Sequence, residues 1–459
     1  MTSRTMAFIG NLIRLLVVAV ALWAAVQIRM YAVHDYGMVI HEFDPWFNFR
    51  AADYMVNHGW QKFQAWYDEE VWYPLGRHVG STTYPALQFT AWGIHSLLAH
   101  VHPTSLNDVC VLIPAAFGAV ASVFTGMLAY EVTRSANAGV AALAIMAIIP
   151  AHLMRSVAGG FDNESVAVSA IVGTFYYWVR SLRTGGSWPY AILCGATYVY
   201  LVAAWGGYVF VLNLIGIHAA TLVIVGRFSP QLWRAYTLWF LIGTTGACFG
   251  PARYLVGWQP FQALEQLGPT GVFLGLQLWQ ATAVYSRRRK LSALETFKLR
   301  AKVLGAVCVI AAIVMGAMPE GFLGPLSARV RGLFIKHTKT GNPLVDSVAE
   351  HQATPPRVYW SYFHCVCIIG PPGAALMLYK ITDAKIFALL YVAIAYYFSG
   401  KMIRLVLLLG PAAAVAAGAT ISAVVWFTIE AWQAEEAGPA ASKKARPPPK
   451  SAKAVRKPP

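Results

Sequence analysis

Charged side chains are scarce in this chain. Asp, Glu, Lys and Arg make up 12% of its 459 residues, whereas hydrophobic residues make up 57%. Soluble domains carry about 25% charged residues. The composition therefore excludes an ordinary soluble domain and predicts an all-α polytopic membrane protein, because helices satisfy their backbone groups within the bilayer.

Acids are the scarcer of the two charge classes. The chain has 20 Asp and Glu against 36 Lys and Arg, which gives a formal net charge of +16. In a soluble protein this excess would suggest a nucleic-acid partner. Here it falls mainly in two blocks, and Lys and Arg stay on the cytoplasmic side of membranes. We attribute the excess to topology and expect no nucleic-acid partner.

Cysteine is rare too, and the spacing of the six cysteines matches no zinc site. No disulfide framework is implied. All six lie in apolar stretches and are predicted to be packing residues: Cys110, Cys194, Cys248, Cys308, Cys365 and Cys367.

About twelve apolar windows are long enough, or nearly so, to cross a bilayer. They lie near 6–28, 109–130, 137–153, 164–182, 188–204, 207–226, 232–250, 269–286, 302–318, 358–379, 384–399 and 402–428. A further window near 84–101 is interrupted by His95. We expect this window to lie in the membrane surface, because the basic block after residue 286 then faces the cytosol.

This topology divides the chain into two parts. Residues 1–430 are predicted to form a multi-span membrane catalytic domain with large lumenal loops at about 32–108 and 319–357. Residues 431–459 are predicted to form a cytoplasmic tail that is rich in Lys, Arg and Pro. Such a composition buries too little apolar surface to fold, so disorder is expected there.

Three short acidic motifs fall in the predicted lumenal segments. Their sequences are HEFDPWFN at 41–48, GFDNE at 160–164 and SVAEHQ at 347–352. A carboxylate at a membrane edge is costly unless it is paired, protonated or bound to a metal. Together the motifs favour a divalent cation held by oxygen ligands.

Each acid also has an ordinary explanation. Asp162 and Glu164 suit the start of a helix. Asp44 precedes a proline and suits a turn. Glu350 is explained equally well as a solvated loop acid. The residues alone leave these alternatives open.

Two arginines near the motifs are candidates for binding phosphate. Arg155 lies seven residues before Asp162, and Arg404 lies in an apolar stretch. The guanidinium fork donates two parallel hydrogen bonds to a phosphate. A snorkelling membrane anchor is the alternative explanation for Arg404.

Four motifs closely resemble those of one family, in order across essentially the whole chain. They are EFDPWFN at 42–48, WYPLGR at 72–77, RSVAGGFDNE at 155–164 and SVAEHQ at 347–352. The family is the catalytic subunit of eukaryotic oligosaccharyltransferase. The resemblance implies a C-type glycosyltransferase membrane fold in the endoplasmic reticulum with a lumenal active site. It also implies inverting transfer of an oligosaccharide from dolichyl diphosphate to the Asn of Asn-x-Ser/Thr in a nascent polypeptide, together with partner subunits.

The resemblance also implies roles for individual residues. Asp44, Asp162 and Glu164 would bind Mn²⁺ or Mg²⁺. Asp44 and Glu350 would engage the acceptor carboxamide, and Arg404 would bind the donor diphosphate. Arg155 corresponds to an arginine that is important for activity in the family.

The chain departs from the family pattern in one respect. Family members continue into a last span and a lumenal domain with a Trp-Trp-Asp motif, and this sequence contains no such tripeptide. We therefore expect a shortened member. The alternatives are a non-catalytic assembly copy, a dolichol-dependent sugar transferase with another acceptor, or a transporter. The last is disfavoured because its polar residues should lie at the membrane midplane.

Overall fold

The computed structural model describes residues 3–317 and 347–436. In these residues the regular structure is almost wholly helical. The helices are α1 (Ser3–Arg29), α2 (Tyr31–Tyr36), α3 (Phe43–Ala65), α4 (Val79–Thr82), α5 (Ala86–Leu98), α6 (Leu106–Thr133), α7 (Ala136–Ile148), α8 (Pro150–Leu153), α9 (Asn163–Ser181), α10 (Pro189–Ala204), α11 (Tyr208–Ile224), α12 (Pro230–Phe249), α13 (Gln259–Gln262), α14 (Leu264–Arg289), α15 (Ala293–Ala317), α16 (Pro356–Phe363), α17 (Val366–Met377), α18 (Asp383–Lys401) and α19 (Val406–Glu436).

Shorter elements complete the described structure. Three 3-10 turns lie at Gly185–Ser187, Ala349–His351 and Ile403–Leu405. Two short strands, β1 (Tyr67–Asp68) and β2 (Arg77–His78), pair antiparallel. In their register Tyr67 faces His78 and Asp68 faces Arg77.

The membrane class is confirmed by the helices. Within the described residues, four are long and apolar enough to cross a bilayer: Phe8–Arg29, Leu106–Thr133, Gly185–Ala204 and Ile403–Trp432. Three shorter apolar helices, α7, α11 and α17, accompany them. The number of about twelve spans stays a prediction.

Two predicted spans are broken into pairs of helices, which corrects the sequence analysis. The window 137–153 is α7 and α8, separated at Ile149 where the backbone is extended. Pro150 opens α8, a position where its missing N–H costs nothing. The window 358–379 is α16 and α17, separated at His364, whose φ is +45°. The apolar composition of these two windows does not indicate where a helix breaks.

Small residues let the central helices approach closely. A side chain at Gly126 of α6 would lie 2.8 Å from the carbonyl oxygen of Gly139 in α7. A side chain at Gly418 of α19 would lie 2.6 Å from the carbonyl oxygen of Ala138. Close backbone contact of this kind replaces hydrophobic driving force between membrane helices. Helices α6, α7, α9, α10 and α19 thereby form one packed bundle.

The segment predicted to lie in the membrane surface is a short helix. Helix α5 has 13 residues and packs against α3 and α6. Its length of about 20 Å is less than the hydrocarbon thickness of about 30 Å. Its placement in the membrane surface and the sidedness of the loop at 32–108 stay predictions.

Other predictions fall partly outside the description. Of the loop predicted at 319–357, the structure describes 347–357; of the tail predicted at 431–459, it describes 431–436, which continue α19 as helix. All six cysteines are free. The packing prediction is wrong for Cys308 and Cys365, which are exposed. Cys308 lies on α15, and an apolar helix in a membrane has an outward face as well as a packed one; Cys365 lies in the turn between α16 and α17.

Candidate active site

Helix α9 begins at the candidate site. The Asp162 side chain accepts a hydrogen bond of 2.7 Å from the backbone N–H of Asn163, so the capping alternative is correct for Asp162. Glu164 lies in the first turn, with its side chain only 1% exposed. Negative charge is favoured at this end of a helix. Capping explains Asp162 locally, but it leaves the buried charge of Glu164 unexplained.

Two arginines compensate the buried charge of Glu164. Arg404 places Nε and Nη2 at 2.7 and 2.5 Å from Oε1. Arg155 Nε lies 3.2 Å from Oε2. This second contact is an ion pair without hydrogen-bond geometry, and Oε2 has no hydrogen-bond partner among the described residues. One oxygen of Glu164 therefore keeps accepting capacity.

The same two arginines also contact Glu350. Arg155 donates a hydrogen bond from Nη2 to Glu350 Oε2, and Arg404 Nη1 lies 3.6 Å from Oε1. The charges therefore alternate in a closed arrangement of Arg155, Glu164, Arg404 and Glu350, which we call the four-charge ring. Glu350 is its more exposed acid, at 30% against 1% for Glu164. The snorkelling alternative for Arg404 is not needed, because its charge is paired.

Backbone contacts hold the segments of the ring together. Ile403 donates its N–H to the carbonyl of Gln352 at 3.0 Å, which joins the Arg404 turn to the segment that carries Glu350. His41 donates its N–H to the carbonyl of Gly159 at 3.0 Å. This second bond joins the first acidic motif to the loop between Arg155 and Asp162.

Asp44 lies in the first turn of α3 and is exposed. One turn later, Asn48 donates from Nδ2 to the carbonyl of Phe161 at 3.1 Å and to Asp162 Oδ1 at 3.5 Å. Residues four apart share a helix face, so Asp44 faces the same segment. Burial raises the pKa of Asp162 to about 6, and the charges of Glu164 and Asp44 contribute to this rise. The three acids predicted to bind metal are therefore electrostatically close.

The arrangement only partly resembles a metal site. Among residues 3–317 and 347–436, no group of three or more His, Cys, Asp or Glu side chains is placed to hold an ion. The carboxylate of Glu164 faces the two arginines. The accumulated negative charge at Asp162 and the free oxygen of Glu164 nevertheless fit a cation, since both would be relieved by one.

Sequence reasoning missed a buried arginine behind the ring. Arg29 is fully buried and donates to Ser156 Oγ at 2.8 Å and to the carbonyl of Ala147 at 2.7 Å. Its Nη2 also lies 3.1 Å from His152 Nδ1. A side chain at Gly118 would overlap the Arg29 guanidinium. An arginine at the end of an apolar run is typical of a membrane anchor, so no sequence signal distinguished Arg29, which bonds to the residue that follows Arg155.

A family model described as "Oligosaccharyl transferase STT3, N-terminal" matches residues 12–417. The Caenorhabditis elegans dolichyl-diphosphooligosaccharide–protein glycosyltransferase subunit stt-3 is 38% identical over 435 residues, which cover 93% of this chain and 55% of the relative. The Saccharomyces cerevisiae subunit STT3 is 34% identical over 430 residues, which cover 92% of this chain and 58% of the relative. The chain thus spans a little over half the length of these relatives.

Solved structures agree on the fold. The Archaeoglobus fulgidus oligosaccharyltransferase in its apo form gives a TM-score of 0.71 at 18% identity, covering 92% of this chain and 52% of that one. The A. fulgidus protein AglB in complex with an inhibitory peptide and a dolichol-phosphate gives a TM-score of 0.68 at 17% identity, and the match covers 93% of this chain and 52% of that one. The family match and the eukaryotic relatives together establish that the chain belongs to the STT3 family of oligosaccharyl transferases, over its N-terminal region.

Proposed function

We propose that this chain carries the catalytic centre of an oligosaccharyltransferase in the endoplasmic reticulum membrane. The reaction is the transfer of a preassembled oligosaccharide from dolichyl diphosphate to the side-chain amide of Asn in Asn-x-Ser/Thr, with inversion at the sugar carbon. The acceptor is a nascent polypeptide, the active site is lumenal, and other subunits are expected as partners. The four-charge ring beside Asp44 and Asp162 is the observation that carries the proposal, because it unites segments that lie far apart in sequence.

The donor would bind by exchange of anions at the ring. Arg155 and Arg404 are paired with glutamates, so an incoming diphosphate must displace at least one carboxylate. Glu350 is the more exposed partner and its contact with Arg404 is long, at 3.6 Å. Glu164 is buried and stays. A diphosphate carries more charge than the carboxylate it replaces and suits the guanidinium fork.

The displaced Glu350 would then be available to the acceptor. An amide nitrogen is a poor nucleophile, because its lone pair is delocalised into the carbonyl. Two carboxylates, Asp44 and Glu350, would accept its N–H bonds and hold it against the sugar carbon. This is catalysis by positioning and by preorganised charge. Donor binding and acceptor activation are thereby linked through one side chain.

A divalent cation, Mn²⁺ or Mg²⁺, would be held by Asp44, Asp162 and Glu164. When bound it would supply positive charge for the leaving diphosphate. Oxygen ligands suit both ions. A neighbour of the same fold was solved in complex with Zn and sulfate, which supports divalent ions in this fold without choosing between Mn²⁺ and Mg²⁺.

The test is glycosylation of an Asn-x-Thr peptide by membranes in which this chain is the sole copy of the protein. Lipid-linked oligosaccharide and Mn²⁺ are supplied. Asp44→Asn should abolish transfer, and Asp53→Asn is the matched control. Asp53 lies on the same helix, is exposed, and accepts a hydrogen bond from Asn57 at 3.1 Å.

Transfer that survives Asp53→Asn and is lost in Asp44→Asn supports the proposal. Equal transfer by the two variants would remove Asp44 from the mechanism. No transfer by the unaltered chain, shown to be folded and inserted, would favour the assembly copy. Transfer to an acceptor other than Asn would favour the alternative sugar transferase.

A further inference from the structure

A second cluster of charged residues lies at the opposite end of α9. Glu131, near the end of α6, is 3% exposed and forms ion pairs with three arginines. Arg134 Nη1 lies 2.7 Å, Arg180 Nε 3.4 Å and Arg183 Nη1 3.6 Å from its carboxylate. One negative charge thus faces three positive charges. The cluster holds two positive charges that Glu131 does not balance.

The cluster borders a cavity of about 400 Å³. Side chains from α1, α6, α7, α9 and α10 line it, and most of the wall is apolar or aromatic. Val18, Val123 and Val140 are among the apolar residues, and Tyr130, Tyr176 and Tyr190 are among the aromatic ones. The guanidinium of Arg180 lies over the Tyr190 ring at 4.8 Å. The cavity therefore combines a cationic rim with an apolar wall.

The cavity is remote from the four-charge ring. Glu164 and Arg180 are both on α9, and their separation of 16 residues is about 24 Å along the helix. In the predicted topology this end faces the cytosol, where basic residues are retained. The cluster therefore takes no part in binding a donor at the ring.

We propose that this cavity binds a membrane lipid with a phosphomonoester headgroup. A phosphomonoester carries about −1.5 to −2 charges at pH 7, which matches the two unbalanced positive charges. Arg180 and Arg183 line the cavity, and Arg183 is 39% exposed, so its guanidinium can reach a ligand at the rim. The apolar wall would receive an acyl chain. A soluble phosphate would leave that wall unused. This inference does not depend on the proposed function.

The test measures lipid retention by the full chain. The protein is reconstituted in phosphatidylcholine nanodiscs with a fixed fraction of phosphatidic acid, and bound lipid is counted by native mass spectrometry after release into detergent. Arg183→Gln should weaken phosphatidic acid binding about tenfold, the loss typical of one charge-assisted contact. In this variant Glu131 retains its ion pairs with Arg134 and Arg180, so the local fold should be preserved.

Arg234→Gln is the matched control. Arg234 is exposed and donates to the carbonyl of Gly185 at 3.4 Å, so it lies at the same end of the bundle but does not line the cavity. Its substitution should leave retention unchanged. Arg180→Gln, which also removes a charge from the cavity lining, serves as a second test if Arg183→Gln fails to give a monodisperse protein.

Three results would overturn the proposal. The first is equal retention of phosphatidic acid by Arg183→Gln and Arg234→Gln. The second is equal retention of phosphatidic acid and phosphatidylcholine by the unaltered chain. The third is displacement of the lipid by sn-glycerol 3-phosphate at an equal concentration, since the apolar wall would then contribute nothing.

Discussion

The two ends of α9 carry the same kinds of side chain in different proportions. At its start, two glutamates and two arginines alternate in a balanced ring. Past its end, a single glutamate faces three arginines. The acids that adjoin the balanced ring make that end attractive to a cation, and an anion can bind there only by displacing a carboxylate, whereas the second cluster can bind an anion without displacing one. Charge balance, more than residue type, decides which ligand each end can take.

Substitutions of the two buried glutamates, Glu164 and Glu131, should have the largest effects on stability. Glu164→Gln removes the carboxylate that both ring arginines share, and we expect a loss of about 3 kcal/mol in unfolding free energy, as for other broken buried pairs. Unfolding in mixed micelles with SDS would measure it. Oligosaccharide transfer should be lost as well. A variant as stable as the unaltered chain would show that the ring is not a buried ion-pair network.

Glu131→Gln should cost less, because its arginines are partly exposed and water screens their repulsion. We expect a loss of about 2 kcal/mol in unfolding free energy. Transfer by the folded protein should remain, since the ring is remote. The same micelle titration and peptide assay measure both quantities. Loss of transfer at full stability would contradict the separation of the two ends.

A divalent cation should distinguish the ends by stabilising only one. Free Mn²⁺ at ten times its dissociation constant adds about 1.4 kcal/mol if it binds only the folded protein. Thermal unfolding with and without a chelator measures this gain in stability independently of activity. Asp162→Asn should abolish the gain and Glu131→Gln should retain it. A gain that persists in Asp162→Asn would put the ion elsewhere.

The smallest effect is expected at the more exposed acid of the ring. Glu350→Gln should change the unfolding free energy by only about 0.5 kcal/mol, because water screens a partly exposed ion pair more than a buried one. Transfer should nevertheless fall, since the acceptor amide would lose one carboxylate. The contrast with Glu164→Gln is the informative quantity. Equal destabilisation by the two variants would contradict the exchange of Glu350 for a diphosphate.

Much of the candidate site is predictable from short motifs. Acids in loops predicted to be lumenal and the family resemblance together point to Asp44, Asp162, Glu164, Glu350, Arg155 and Arg404. The structure joins four of them through ion pairs and couples Asp162 electrostatically to Glu164, Asp44 and Arg404. Their proposed roles in catalysis and metal binding stay predictions. The pairing of Glu164 with both arginines was not foreseen, because sequence spacing says nothing about distances between remote segments.

Arg29 and the breaks in the spans were beyond sequence reasoning for a related reason. A run of apolar residues indicates burial or lipid contact, but it does not indicate which helix packs against it. Arg29 fits only because residue 118 is glycine, and those two positions lie on different helices. The break at His364 likewise depends on a backbone conformation that the composition does not specify.

Composition and short motifs were enough to assign an all-α membrane protein of the STT3 family and to predict the acids and arginines of its candidate site. Hydrophobic runs and short motifs consist of residues that are neighbours in the chain, so they can be recognised in the sequence. Which charges meet is a property of the folded chain. Arg155 and Glu350 are 195 positions apart, and Glu164 and Arg404 are 240 positions apart. Whether such charges pair, and whether an excess remains, depends on packing that brings distant helix ends within a few ångströms.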